Sequence, residues 1–262
     1  MRTTHGAAEH AAPLYILHKH MIRFLDWFAG RFVQRRVVAV SEELAGKLVR
    51  SFGAGRIAVI ENGLDIDTLS PRIGRAIGSR KTIGIAGRLV RVKRVDLFLR
   101  IAKHLCEQEP GLDMRFRVLG DGPLRAELEQ FAQSLGVRAV VEFAGHCEDM
   151  DAQLQELDVL VMTSDHEGLP MILLEAMAHG VPIVAHRTGG ITSLLDRGAC
   201  GMLVEEHTPA GYARAISTLL TDAALREQLT RRAAQRLEER YSASGNADRY
   251  HELYRQLSGA GD

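Results

Sequence analysis

The sequence predicts an α/β fold: a doubly wound parallel sheet, preceded by a partial lobe of the same kind. Three observations lead there. Short apolar runs alternate with stretches of helical periodicity along most of the chain. The runs end in glycine-bearing turns, at Gly87, Gly120-Asp121-Gly122-Pro123, Gly145 and Thr188-Gly189-Gly190. The stretch from Ser164 to Gly180 reads as strand end, tight loop and helix.

Taken in order, Thr3-Thr4-His5-Gly6 reads as a strand end entering a loop. Leu14 to Arg36 reads as a helix broken near Gly30, with Leu14, Leu17, Met21, Phe24, Leu25, Phe28 and Phe32 at helical spacing. It also carries His18, Lys19, Arg23, Arg31, Arg35 and Arg36, and so has two readings. One packs the apolar stripe against a core. The other lays it on an anionic membrane surface. Val37 to Val40 is a buried strand ending at Ser41, and Ser41-Glu42-Glu43 caps a helix to about Ser51 with Phe52-Gly53 as its exit. Ile57 to Ile60 is a strand, and Asn62-Gly63-Leu64-Asp65 turns out of it, so the order strand, helix, strand implies a right-handed parallel crossover. Arg72 to Lys81 has no periodicity and reads as a linker.

The second lobe opens with the strand Thr82 to Ala86 and the loop Gly87 to Arg94. Val95 to Cys106 follows as a helix with Leu97, Phe98, Ile101, Ala102 and Leu105 inward. Phe116 to Leu119 is a strand, Leu124 to Leu135 a helix, and Val140 to Phe143 a strand followed by Ala144-Gly145-His146. Val159 to Met162, Pro182 to Ala185 and Met202 to Val204 are further strands. From Pro209 the chain is helical, with breaks near Thr221-Asp222 and Tyr241-Ser242. The expected organisation is a partial first lobe over 1–71, a linker over 72–80, a second lobe over 81–240, and a terminal helix over 241–262 returning towards the first lobe.

Composition narrows the function. Apolar residues make up 46% and charged residues 25%, as in a soluble globular protein. Formal net charge is zero and aromatics are only 5%, which argues against a nucleic-acid partner. Cys106, Cys147 and Cys200 are few and far apart, which fits a reducing compartment rather than a disulfide framework or zinc cluster. No signal-peptide core follows Met1, and no apolar run reaches membrane-spanning length. A cytoplasmic location is expected, with attachment to the inner membrane face open through the Leu14–Arg36 helix. His5, His10, His18 and His20 lack metal-ligand spacing, and no metal is expected. There is no Ser-His-Asp order, no paired hydrolytic carboxylates and no dinucleotide fingerprint after Ala86.

The chemistry gathers around Ser164 to Gly180. Gly168 provides a turn that a side chain would block, Pro170 suits a helix start, and Gly180 suits its end. The turn aims backbone amides and a helix dipole above the strand. Glu167 lies before the helix and Glu175 within it, where both can face one cleft and accept sugar hydroxyls. Ligands of such sheets sit beyond the carboxyl ends of the strands. Arg88, Lys93, Gly120 to Pro123, His146, Glu167 to Ile172 and Thr188 to Gly190 all fall there. Arg88 offers a planar fork and Lys93 a mobile charge, enough to neutralise a diphosphate without metal. With Arg91 and Arg94 beside them, a solvated basic turn is the other reading. Asp121 reads as a turn residue rather than an acid.

The run Glu-Gly-Leu-Pro-(x4)-Glu-Ala-Met-Ala-x-Gly-x-Pro-Ile-Val-Ala, from Glu167 to Ala185, resembles the signature of the retaining family-four nucleotide-sugar glycosyltransferases of the GT-B fold. The resemblance extends to Val40-Ser41-Glu42, to Asn62-Gly63-Leu64-Asp65, where Leu64 replaces a usual valine, and to Gly87-Arg88-(x4)-Lys93. It implies a second lobe that is the Rossmann-like C-terminal half of a GT-B fold. It also implies that Gly87, Arg88 and Lys93 bind the donor diphosphate. Glu167 would hold the donor sugar beside the backbone of Gly168, Leu169, Pro170 and Met171. Glu175 would accept the ribose hydroxyls, His146 would lie in the base-contacting loop, and His5 would face the sugar from the other lobe. The implied catalytic residues are Glu167, Arg88 and Lys93. The implied reaction is front-face transfer of a sugar to a glycan, lipid or small-molecule acceptor, with no cofactor beyond the nucleotide-sugar donor. The family's first lobe is a complete domain and only its last portion is recognisable here. A non-catalytic nucleotide-sugar-binding module, or a subunit completed by a partner chain, therefore stays open beside the transferase, as does an epimerase on the same fold.

Overall fold

The computed structural model describes residues 2–4, 22, 27–66, 71 and 73–259. The chain forms two compact units, one of residues 1–63 with 241–262 and one of residues 64–240.

The first unit holds three parallel strands, β1 (Arg2–Thr4), β2 (Val37–Ala39) and β3 (Ile57–Val59), in the order β1-β2-β3. Helix α1 (Glu42–Phe52) crosses between β2 and β3, with the Ser41 hydroxyl accepting the Leu44 amide at 3.2 Å. Gly53 ends it at a φ of +84°. Val37, Val38 and Ala39 are fully buried, whereas β3 is half-buried. The closing helix of the chain (Ala243–Ser258) belongs to this unit. Its Leu253 packs with Val38 and Ile60, with Ala58, Tyr250 and Leu257 around them.

The Leu14–Arg36 helix differs from expectation where it is described. Leu14 to Met21 and Arg23 to Asp26 lie outside the described residues, as does His5. The final turn, Ala29–Val33, is π-helical, and Gln34 is already extended, so the helix stops short of Arg36. Phe28 and Phe32 are 45% and 62% exposed, and Trp27 and Val33 are exposed too. This end of the stripe therefore does not face a core. Arg35 donates to the Leu257 carbonyl at 2.9 Å and Arg36 to that of Gly55.

The second unit is a six-stranded, all-parallel sheet of β4 (Lys81–Ala86), β5 (Met114–Leu119), β6 (Val141–Gly145), β7 (Val159–Met162), β8 (Ile183–His186) and β9 (Met202–Val204). Their order is β6-β5-β4-β7-β8-β9. The chain runs outward from β4 to β6 and returns to the other side of β4 at β7. The gap between β4 and β7 is thus the topological switch point, where a crevice opens at the carboxyl ends. Between the strands lie α2 (Val95–Gln108), α3 (Arg125–Ser134), α4 (Met150–Gln155), α5 (Met171–Ala178) and α6 (Gly189–Leu194), and after β9 come α7 (Pro209–Thr221) and α8 (Ala223–Tyr241). Helix α7 returns to pack on α2, and Phe98, Ile101, Phe116, Tyr212, Ile216 and Leu219 fill the core there. Burying six such side chains supplies roughly 1.5–3 kcal/mol each for the aliphatic and phenylalanine members. The expected doubly wound fold is what the residues build.

One short element goes beyond the sequence reading. Helix α4 starts at Asp149, whose carboxylate accepts the Ala152 amide at 2.9 Å, and six residues are too few to show a period. Of the two readings of Thr188-Gly189-Gly190, a turn or the entry of a helix, the structure has the second, with α6 beginning directly at Gly189. Strand β6 borders the sheet. Phe116 donates to the Val140 carbonyl, so in the alternation of a strand the carbonyls of Val141 and Phe143 point outwards. Arg138 takes the first at 2.9 Å and Arg125 the second at 3.3 Å.

Candidate functional site

The loops after β4 and β5 meet backbone to backbone. Gly87 and Gly120 have φ of +140° and +137°, values that L side chains rarely adopt. A Cβ on Gly120 would overlap the Gly87 carbonyl oxygen, and one on Gly122 would sit 2.6 Å from the Leu89 backbone. The Leu89 amide donates to Asp121 and the Leu124 amide to Leu89, which fixes the contact. Asp121 is the turn residue expected. It accepts the Gly122 amide at 2.6 Å and Arg125 at 3.0 Å, and these two donors hold its carboxyl below the usual range. His146 is exposed beyond β6, close enough to Asp121 to act on its charge.

Loops after β4 and β7 are tied more tightly still. The Thr163 hydroxyl donates to the Lys93 and Arg94 carbonyls at 2.8 and 2.9 Å, and the Asp165 amide to Val92 at 2.9 Å. Arg94, in the left-handed region at φ +50°, forks onto Asp96 and reaches Asp165 at 3.1 Å. Lys93 Nζ then meets Glu167 Oε1 at 2.6 Å, with both side chains largely buried at 23% and 14% exposure. Two residues predicted as site members are therefore an ion pair across the switch point. A small crevice lined by Gly87, Lys93, Met162 and Ser164 opens between the strand ends beside them. Arg88, next to Gly87, is exposed.

The Glu167 turn is held from a third side by α6. The Gly190 amide donates to the Glu167 carbonyl at 3.0 Å and the Thr188 hydroxyl to that of Asp165 at 3.0 Å. A Cβ on Gly190 would overlap the Gly168 carbonyl oxygen. This corrects the sequence reading of Gly168. Nothing stands within 4 Å of where its own Cβ would be, and its φ is not positive. The glycine that the turn requires is Gly190, which approaches it. Pro170 also differs: at ψ 113° it is the N-cap of α5, and no side chain caps that helix. The Leu173 amide donates to the Pro170 carbonyl at 3.1 Å, which leaves the amides of Met171 and Ile172 as the open donors of the helix start.

Glu175 stands apart from the Lys93–Glu167 pair. Its half-buried carboxyl is pushed above the usual range by desolvation and by Asp151, with His179 opposing. His179 itself is bonded to Asp151 at 2.9 Å. The charges that act on Glu175 are those of Asp151 in α4 and His179 at the end of α5.

One pair of residues was not read from the sequence. His186, at the end of β8, and His207, after β9, stack with centroids 3.9 Å apart and planes at 18°. His207 Nε2 is 2.9 Å from the Thr163 carbonyl and His186 Nδ1 is 3.3 Å from that of Ser164. Burial first, then His186, lowers the His207 pKa, while Thr163 and Asp165 oppose the shift. Their separation along the chain leaves no spacing signal; only the order of β8 and β9 unites them. Among the described residues no cluster of histidine, cysteine and carboxylates could hold a metal, and no helix is long and apolar enough to cross a membrane.

A glycine-lined switch point bearing a basic loop and a half-buried glutamate places the site of this doubly wound α/β fold at the carboxyl ends of β4 and β7. The chain belongs to the glycosyl transferases group 1 family, whose model matches residues 69–236. It is 33% identical over 244 residues to a D-inositol 3-phosphate glycosyltransferase of Streptomyces bingchenggensis (strain BCW-1), covering 84% of this chain and 53% of that protein. A protein of the same name from Corynebacterium urealyticum (strain ATCC 43042 / DSM 7109) is 36% identical over 221 residues, covering 77% and 51%. The chain spans about half the length of these curated relatives. Among solved structures, Anabaena Alr3699/HepE in complex with UDP and glucose superposes with a TM-score of 0.77 at 23% identity, over 91% of this chain and 67% of that one. S. aureus TarM gives 0.77 at 21%, over 90% and 46%. At these identities the structural likeness is one of fold.

Proposed function

We propose that this chain binds a nucleoside-diphosphate sugar and serves its transfer, with retained anomeric configuration, to a glycan, lipid or small-molecule acceptor. The observation that carries the reading is the Lys93–Glu167 pair at the switch point, walled by the Gly87 and Gly120 backbones. Arg88 and Lys93 neutralise the diphosphate, and the uncapped amides of Met171 and Ile172 at the start of α5 add the positive end of a helix dipole. The Lys93 ammonium has three donors, so it can hold a phosphate oxygen without releasing Glu167. The second Glu167 oxygen is then available to the donor sugar. As the bond to the sugar breaks, charge builds on the leaving phosphate, and the Lys93 ammonium offsets it. The acceptor hydroxyl enters on the same face and passes its proton to that phosphate. No metal is needed for this charge balance.

Incubation with labelled donors and acceptors, with and without EDTA, tests the proposal. Transfer with retained configuration in EDTA is expected. Activity lost in EDTA and restored by magnesium or manganese would overturn the metal-free site. Tight donor binding without transfer would favour the second reading, a binding module acting with a partner chain, which the half-buried β3 of the short first sheet supports. The exposed Trp27, Phe28 and Phe32 support contact with a membrane or lipid acceptor. The assay therefore includes acceptors in neutral and anionic vesicles, and equal association with both would remove the membrane contact.

Glu175 is assigned the ribose hydroxyls and works as the ionised acceptor. Because burial and Asp151 raise its pKa, nucleotide affinity should fall on acidification at a higher pH than an ordinary glutamate would give. Glu175→Gln should weaken nucleotide binding and remove that dependence. A raised carboxyl opposes folding once ionised, so the same change should not lower stability at neutral pH. Glu167→Gln, by contrast, should affect only ligands that carry the sugar. Calorimetry with nucleoside diphosphate and sugar nucleotide across pH checks the split, and identical profiles for both variants would contradict it.

A further inference from the structure

We propose that His186 and His207 are positioning residues for Glu167, a stacked imidazole pair that pins the chain where β7 turns into the loop carrying that carboxylate. The inference rests on the role assigned to Glu167 above. Strand β7 pairs with β8 only as far as Met162 and Ala185. Beyond that point side chains take over the ladder. Tyr212 of α7 donates its hydroxyl to the Met162 carbonyl at 3.3 Å, His207 its Nε2–H to Thr163 at 2.9 Å, and His186 its Nδ1–H to Ser164 at 3.3 Å. Three successive carbonyls are thus held by three side chains, from α7, from the loop after β9 and from β8. Since a carbonyl can only accept, the contacts also fix one tautomer for each ring.

Thr163 and Ser164 are completely buried, so water is poorly placed to replace those donors. On the opposite side the Thr163 hydroxyl is bonded to the Lys93 loop. Thr163 and Ser164, just past β7, are therefore clamped between the basic loop and the two histidines, three to four residues before Glu167. The groups facing the rings are each other, Tyr212, and Asp165 with its partner Arg94; His207 Nδ1 is 3.7 Å from Asp165. Burial lowers the folded pKa of His207 below its ordinary value of 6.5. The unfolded chain then binds the extra proton, so the clamp is at full strength above about pH 6.5 and weakens as pH falls through the lowered value.

The test uses the full chain without ligand, then with it. Hydrogen exchange is followed at the Asp165 amide, bonded to Val92, and the Gly190 amide, bonded to Glu167, with Val118 of β5 as reference. His207→Leu should lower protection of the first two at least tenfold and leave Val118 unchanged, and His207→Gln, which keeps a donor near Nε2, should restore most of it. His207→Leu should also reduce the preference for a sugar nucleotide over the free nucleoside diphosphate about tenfold. If the leucine variant does not fold, the glutamine variant carries the test: its Asp165 and Gly190 amides should no longer lose protection in acid as the wild type does. Equal behaviour of the leucine and glutamine variants would overturn the proposal. Lost protection with an unchanged sugar preference would overturn the positioning role and leave a structural clamp. A wild type that binds neither ligand would instead defeat the functional reading itself, while its amide exchange still reports the clamp, so the two failures are told apart.

Discussion

Gly190→Ala is expected to weaken sugar-nucleotide binding by about tenfold to a hundredfold, whereas Gly168→Ala should change it little. The added methyl at 190 would overlap the Gly168 carbonyl oxygen, a backbone atom that cannot swing aside. Either the Glu167 turn moves or α6 does. Overpacking of this kind costs about 1–3 kcal/mol, and at about 1.4 kcal/mol per tenfold that gives the stated range if the strain is relieved in the turn. At 168 the methyl meets nothing within 4 Å. Calorimetry with a sugar nucleotide, paired with thermal unfolding, separates loss of the site from loss of the fold. A Gly190→Ala protein matching the wild type in both would show that the turn and α6 do not set the geometry of Glu167.

Lys93→Ala should weaken nucleoside-diphosphate binding by roughly tenfold to a hundredfold, the loss of a charge-assisted contact worth about 1.5–3 kcal/mol. Arg88→Ala should cost less, because contacts made from an exposed side chain are screened. Lys93 also balances Glu167, which is only 14% exposed. Without the lysine that carboxylate faces the incoming phosphate as an uncompensated like charge. Adding Glu167→Gln to Lys93→Ala should therefore recover part of the lost diphosphate affinity, a coupling that a double-mutant cycle reads directly. A double variant no better than Lys93→Ala would mean that the two side chains act on the ligand independently.

The fold was legible because its signals are local. Apolar runs such as Val159–Met162 and the cap of α1 at Ser41 each declare themselves within a few residues. The basic loop and Glu167 were legible for a similar reason: each follows a strand end, and parallel order brings strand ends together. What the sequence hid lies in tertiary relations. Gly168 and Gly190 are both glycines in turns, and only the approach of α6 shows which one cannot carry a side chain. The exposure of Phe28 and Phe32 is equally invisible to periodicity, which shows that a stripe exists and not what it faces. His186 and His207 belong to separate elements, and no spacing rule joins them.

The guanidinium groups along β6 bear on how the second unit behaves in a crowded solution. A bordering strand normally leaves half of its peptide groups open, and another chain can add to it as a further strand, the first step of aggregation. Here Arg138 and Arg125 already occupy the outward carbonyls of Val141 and Phe143, and the Val141 amide is turned back to Val137. An incoming strand would have to displace two charged donors before forming its first bonds. Protection against self-association is thus built into the border of the sheet, at the opposite edge from β9, with Arg125 also holding Asp121 of the loop after β5.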